Sequence, residues 1–229
     1  MKSAKKDIAV ILLSGGMDSA ICAAIAFEAG YELAALHLNY GQRTQTRELE
    51  CFKFLCKDFK IKKQLIVDIS YLSQIGGSSL TDFNMELTQS NLDSGEIPNT
   101  YVPFRNANIL TIATSWAEVI SARAIYIGAM EQDSSGYPDC RKSFFAAFQS
   151  TINLGTKPDS DIKIITPIID MTKADIINEG IRLGVQFGHT WSCYQSLEKA
   201  CGTCESCLLR LRGFSTAGQK DPLKYIELK

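Results

Sequence analysis

An apolar run that breaks on two glycines constrains this chain more than any other stretch. Residues 7–13, DIAVILL, have the length and near-continuous hydrophobicity of a buried central strand, and residues 18–29 recover a helical spacing. Between them stands Ser14-Gly15-Gly16-Met17-Asp18-Ser19, a strand-to-helix turn. Such a turn aims unpaired backbone N–H groups and the positive end of a helix dipole at one point, and its glycines let a bulky anion approach the backbone. The ligand it suits is phosphate. A Walker loop is excluded, because no lysine follows the glycines, and a dinucleotide fingerprint would need Ser19 or Ala20 to replace its third glycine.

The rest of the chain repeats the strand-helix alternation. Strands are predicted over residues 31–38, 61–69, 124–129 and 162–169, and helices over 44–59, 106–122, 143–155 and 171–184, the last with Thr172 as N-cap and Gly184 after its final turn. This is the pattern of βαβ units, which predicts an α/β fold: a parallel, Rossmann-like sheet with helices on both faces and a ligand at the carboxyl ends of the strands. Residues 70–103 interrupt it with turn chemistry and read as a long loop, functional or mobile. With 229 residues, 45% of them hydrophobic, the chain can bury one core and carry an appendage. A net charge of −1 argues against a protein built to neutralise a nucleic-acid backbone. No run of 18 apolar residues is present, and MKSAKKDIAV enters the first strand without a signal-peptide core, so a cytoplasmic protein acting on small molecules is expected.

Of eight cysteines, Cys22, Cys51 and Cys56 fall in helical apolar patterns and read as packing. Cys193, Cys201, Cys204 and Cys207 lie within 15 residues of one another, as an upstream cysteine followed by two overlapping C-x2-C pairs. Four thiolates so spaced can wrap a structural zinc ion tetrahedrally. An iron–sulfur cluster is the rival, but the ferredoxin run requires a further cysteine after three residues and then proline, and neither follows Cys207. Residues 191–229 are therefore expected as a metal-binding segment packed on a domain of residues 1–190.

At the end of the fourth strand, the segment from Gly128 to Phe144 holds Glu131, Asp133 and Asp139 beside Gly136-Tyr137-Pro138 and Arg141. Alone, this reads equally as a solvated acidic loop. Here a resemblance enters. SGGMDS resembles the PP-loop of the ATP pyrophosphatase superfamily. Taken with YGQ, VPFRN, SGYPDCR, TKAD, TWSCY and the cysteine tail, in order along nearly the whole chain, it resembles the 7-cyano-7-deazaguanine (preQ0) synthases of queuosine biosynthesis. Phe104 stands where that family often has glycine, and the first tail spacing is one residue shorter than is common there.

The resemblance implies an adenine-nucleotide α-hydrolase-like fold. It also implies a ligase that forms C–N bonds, turning 7-carboxy-7-deazaguanine and ammonia into the nitrile at the expense of ATP, through an adenylated carboxylate and an amide. Leu13 to Ala20, that is Leu13, Ser14, Gly15, Gly16, Met17, Asp18, Ser19 and Ala20, would bind ATP, with Asp18 holding Mg²⁺ and Ser14 and Arg105 assisting catalysis. Asp133 or Asp139 would read the pyrimidine edge of the base, where a carboxylate can accept from adjacent N–H donors. Tyr137 would flank the ring, and Arg141 would bind carboxylate or phosphate. Lys173, in TKAD, could reach phosphate, though a lysine at a helix start is ordinarily solvated. A homodimer without nucleic-acid or membrane partners is expected. The rivals are a PP-loop enzyme acting on tRNA or another nucleotide, and a zinc-ribbon nucleic-acid-binding protein.

Overall fold

The computed structural model describes residues 6–87, 97–131 and 136–227. Its elements run β1 (Ile8–Leu12), α1 (Met17–Glu28), β2 (Glu32–Asn39), α2 (Gln45–Asp58), β3 (Lys63–Asp68), α3 (Tyr71–Ile75), α4 (Arg105–Val119), β4 (Ala124–Tyr126), α5 (Lys142–Gly155), β5 (Lys163–Ile165), α6 (Lys173–Arg182) and α7 (Glu205–Thr216). The five strands form one sheet in the order β3-β2-β1-β4-β5, and every pairing is parallel. From β1 the chain winds outward through β2 and β3, then returns to the other side of β1 as β4. The switch point, where a crevice opens at the strand ends, thus lies between β1 and β4.

Burial on both faces explains the unbroken apolar runs. Along β1, Ala9 and Ile11 pack with α1, α2 and α6, while Ile8, Val10 and Leu12 pack with α4 and α5. β5 is shorter than its apolar run predicts, because Pro167 has no N–H to extend the ladder. Ile168 and Ile169 beyond it remain buried, one in each core cluster. Thr172 caps α6 as expected, in a full capping box with Asp175. The segment 191–229 does not stand apart: Phe214 of α7 enters the core shared by α1 and α6.

The loop after β3 differs from its expectation. It opens with α3, and the described turns that follow are clamped by the Arg43 guanidinium, which donates to the carbonyls of Ser79, Asp82 and Met85 at 2.7–2.8 Å. Those carbonyls belong to a partly buried turn, and the arginine supplies the donors that a sheet would otherwise provide.

Candidate active site

The turn between β1 and α1 keeps its glycines for steric reasons. Gly15 has φ +90°, and a Cβ there would stand 2.4 Å from the Glu48 carbonyl oxygen. Gly16 caps α1 without a side-chain hydrogen bond, and the first intrahelical bond runs from Ala20 N–H to the Gly16 carbonyl. The N–H groups of Met17, Asp18 and Ser19 therefore precede the ladder and face outward, the arrangement that binds anions. Ser14 Oγ accepts from Gly16 N–H at 3.2 Å and donates to Ser19 Oγ, which in turn donates to the Gly16 carbonyl.

This turn opens on a cleft of about 270 Å³, lined by Ser14, Gly16, Asp18 and Ser19 on one side and by Leu36, Leu38 and Ile109 on the other. A second lobe of about 210 Å³ adjoins it, reached past Asp18, Arg105, Gly128, Ser192 and Tyr194, which line both. Leu13 and Ala20 are wholly buried beneath the turn. Arg105, at the start of α4, donates to Tyr40 Oη at 3.0 Å with its guanidinium over that ring. Glu48, which also borders the first lobe, accepts from Gln42 and Thr44.

Lys173 departs from the ordinary solvated lysine. Its Nζ lies 2.7 and 2.8 Å from the two Asp18 carboxylate oxygens, bringing the start of α6 to the phosphate turn. A carboxylate is the oxygen donor that Mg²⁺ takes, so Asp18 suits such an ion chemically, with both of its oxygens held here by Lys173.

The segment after β4 divides the expected substrate residues. Asp133 lies outside the described residues. Asp139 is buried, and its carboxylate accepts from the Asn106 backbone N–H at 2.9 Å while its carbonyl accepts from the Asn106 side chain. Burial pushes its carboxyl pKa up, against that N–H and the charge of Arg105. Asp139 thus serves as an external cap for α4. Tyr137 lines the second lobe, and its hydroxyl lies 2.8 Å from Thr100 Oγ1. Arg141 is exposed and borders neither lobe.

The sulfurs of Cys193, Cys201, Cys204 and Cys207 all lie within 4.8 Å of one another, and all four residues are buried. A tetrahedral zinc–thiolate site with bonds of about 2.3 Å has sulfur–sulfur edges of roughly 3.8 Å, close to the 3.9 Å between Cys201 and Cys207. Backbone N–H groups already point at these sulfurs: those of Gln195, Ser196 and Cys201 at Cys193, and those of Thr203 and Cys204 at Cys201. Hydrogen bonds from Cys204 and Cys207, then from the Cys201 and Gln195 backbone, hold the Cys193 thiol far below its ordinary pKa. The cluster could thus hold a metal ion. Trp191, two residues before Cys193, donates its N–H to the Gly15 carbonyl at 2.9 Å, so the tail forms one wall of the cleft.

The fold and the turn define an α/β domain with the architecture of the PP-loop proteins. A 4-thiouridine synthetase solved with RNA and bound ATP shares the fold, with a TM-score of 0.54 and 15% identity over 92% of this chain and 54% of that one. Residues 8–218 match the family described as "Queuosine biosynthesis protein QueC". The 7-cyano-7-deazaguanine synthase of Chloroherpeton thalassium is 57% identical over 95% of this chain and 96% of its own. That of Chlorobium chlorochromatii is 54% identical over 95% of each. The chain belongs to this family and is a C–N bond-forming ligase. Among the described residues, no helix is long and apolar enough to cross a membrane.

Proposed function

We propose that the protein converts 7-carboxy-7-deazaguanine and ammonia to 7-cyano-7-deazaguanine, using ATP for two successive activations in one cleft. The observation that carries this reading is the two-lobed cleft, whose shared wall holds Asp18 beside the phosphate turn and Arg105. A nucleotide in one lobe and a carboxylic acid in the other would meet at that wall.

A carboxylate is a poor electrophile, so its oxygen first attacks the α-phosphorus of ATP and pyrophosphate leaves. Ammonia then adds to the acyl carbon and AMP departs, giving the amide. The amide oxygen attacks the α-phosphorus of a second ATP, releasing pyrophosphate and one N–H proton, and loss of AMP with the remaining N–H proton leaves the nitrile. The chain's own contribution is positioning and charge neutralisation. The free N–H groups of Met17 to Ser19 would hold the phosphates, the hydroxyls of Ser14 and Ser19 would add donors by turning from their present acceptors, and Lys173 would move from Asp18 to a phosphate oxygen. Mg²⁺ would be held by Asp18 and supply charge neutralisation at the leaving pyrophosphate. Zinc is the metal best suited to four buried thiolates in a closed site, where its role is structural. Asp139 spends one carboxylate oxygen on the Asn106 N–H, which favours Asp133 over it as the base-reading carboxylate, with Tyr137 flanking the ring. We further expect a cytoplasmic homodimer.

The test is incubation with ATP, Mg²⁺, ammonium and 7-carboxy-7-deazaguanine, with mass spectrometry of the products. ATP-dependent appearance of the amide and then the nitrile supports the reading. Absence of both with a metal-replete protein overturns it.

A further inference from the structure

Arg210 lines the second lobe, yet it has nothing left to offer a ligand. Its side chain is 1% exposed, and each of its five N–H donors is already used. Nε donates to Asp221 Oδ2 at 2.7 Å, and one terminal nitrogen donates to Asp221 Oδ1 at 3.0 Å and to the Phe187 carbonyl at 3.0 Å. The other donates to Thr190 Oγ1 at 2.8 Å and to Ser192 Oγ at 3.3 Å. Asp221 is held in turn by the Tyr225 hydroxyl at 2.6 Å and the Leu223 N–H at 3.0 Å. A buried arginine with every donor committed is a positioning group, and the question is what it positions.

Ser192 is the answer that the hydrogen-bond accounting gives. Among the described residues, Arg210 is the one partner of its hydroxyl, and an arginine can only donate. The Ser192 oxygen therefore accepts, and its own O–H proton is left for another acceptor. Ser192 is half-exposed and borders both lobes. The residue before it is bound to the phosphate turn through Trp191 N–H and the Gly15 carbonyl. The Trp191 carbonyl lies 3.5 Å from where a Cβ on Gly16 would stand.

We infer that Ser192 donates a hydrogen bond to a nucleotide phosphate oxygen where the two lobes meet, and that Arg210, locked by Asp221, holds the serine in the accepting geometry that frees its proton. The inference rests on the ATP-dependent reading above and adds to it a donor from the C-terminal segment. A donor in place before charge develops on the transferred phosphate assists catalysis more than one recruited from solvent.

The experiment compares Ser192→Ala, Ser192→Thr, Asp221→Asn and the Ser192→Ala/Asp221→Asn double variant in the metal-replete full chain. Steady-state kinetics are read alongside calorimetric binding of AMP and of adenosine, which lacks the phosphate. Ser192→Ala should lower kcat/KM for ATP by about 10- to 100-fold and weaken AMP by about tenfold, with adenosine binding unchanged. Ser192→Thr should restore most of both. Asp221→Asn should lower kcat/KM in the wild-type background and change little further in the Ser192→Ala background, whatever it does to the melting temperature. Wild-type kcat/KM and AMP affinity in Ser192→Ala would overturn the inference while leaving the proposed function standing. Equal losses from Asp221→Asn in both backgrounds would overturn the positioning role. A wild-type protein that neither binds AMP nor consumes ATP would overturn the proposed function and this inference together.

Discussion

A methyl group added at Gly128 tests the site through its backbone alone. Gly128 follows β4 at the switch point and borders both lobes of the cleft. A Cβ there would lie 2.9 Å from the Asp18 carbonyl carbon, 3.0 Å from its oxygen and 3.1 Å from the Ser19 nitrogen. Ordinary carbon contacts sit near 3.5–4.0 Å, so relief needs a shift of roughly half an ångström or more. Rotamer changes cannot supply it, because every atom met is backbone. Overpacking of this kind costs about 1–3 kcal/mol. In a domain of this size, each kcal/mol lowers the melting temperature by about 2–4 °C. The displaced atoms carry the N–H groups of the phosphate turn, and a misplacement approaching 1 Å can cost up to about 10²-fold in rate. Gly128→Ala is therefore expected to melt several degrees lower and to lose about 10- to 100-fold in kcat/KM for ATP. Gly155→Ala, with nothing within 4 Å of the new methyl, serves as the control and should match wild type in activity. A Gly128→Ala protein with wild-type melting and kinetics would refute the argument that β4 sets the position of the turn.

Three further perturbations address other parts of the molecule. Asp18→Asn leaves Lys173 facing an amide that can accept only one of its two bonds, and turnover should fall by about 10²-fold or more while the far-ultraviolet circular dichroism stays native; wild-type turnover would remove Asp18 from the phosphate site. Cys204→Ser should lower metal content and melting temperature and, because Trp191 joins the cluster to Gly15, raise the KM for ATP. Metal analysis finding iron with sulfide would refute zinc, and a metal-free wild type of full stability would refute the site. Phe104 holds φ +57° and is 60% exposed, so Phe104→Gly should remove about 1 kcal/mol of backbone strain and raise the melting temperature by roughly 2–4 °C; a lower melting temperature would mean that its edge contact with Phe144 outweighs the strain.

Much of the fold was legible because it is written locally. The run Ile8–Leu12, the glycine turn, the Thr172 N-cap and the cysteine spacing each lie within one contiguous stretch, and all appear as expected. Phe104 itself adopts the left-handed conformation that a glycine would take without strain. What sequence reading missed depends on partners far apart in the chain. Lys173 reads as a solvated helix-start lysine until α6 is seen to begin beside Asp18, 155 residues earlier. Asp139, one of two candidate base-reading carboxylates, is seen only in the structure to cap α4 through one of its oxygens, and Arg141, two residues on, turns outward. Gly128 carried no turn signal at all, since what excludes a side chain there is the backbone of α1 lying against β4.

The position of the C-terminal segment changes what a structural metal would do in this molecule. Four buried thiols without a metal leave a short stretch of chain with little apolar surface of its own, and their folding energy would come from the ion. Yet this stretch is a wall of the cleft: Trp191 grips the phosphate turn, Ser192 and Tyr194 border both lobes, and α7, with Cys204 as its N-cap residue, drives Phe214 into the core beside α6, whose first residue is Lys173. Gly213 of α7 lies so close to Lys173 that a Cβ there would meet the lysine's own Cβ at 2.7 Å. Anything that loosens the cluster therefore acts on both residues that flank the phosphate turn, the tryptophan from one side and the lysine from the other. Metal and nucleotide should then each strengthen the binding of the other by the same factor, because the two sites stabilise one arrangement of a shared wall.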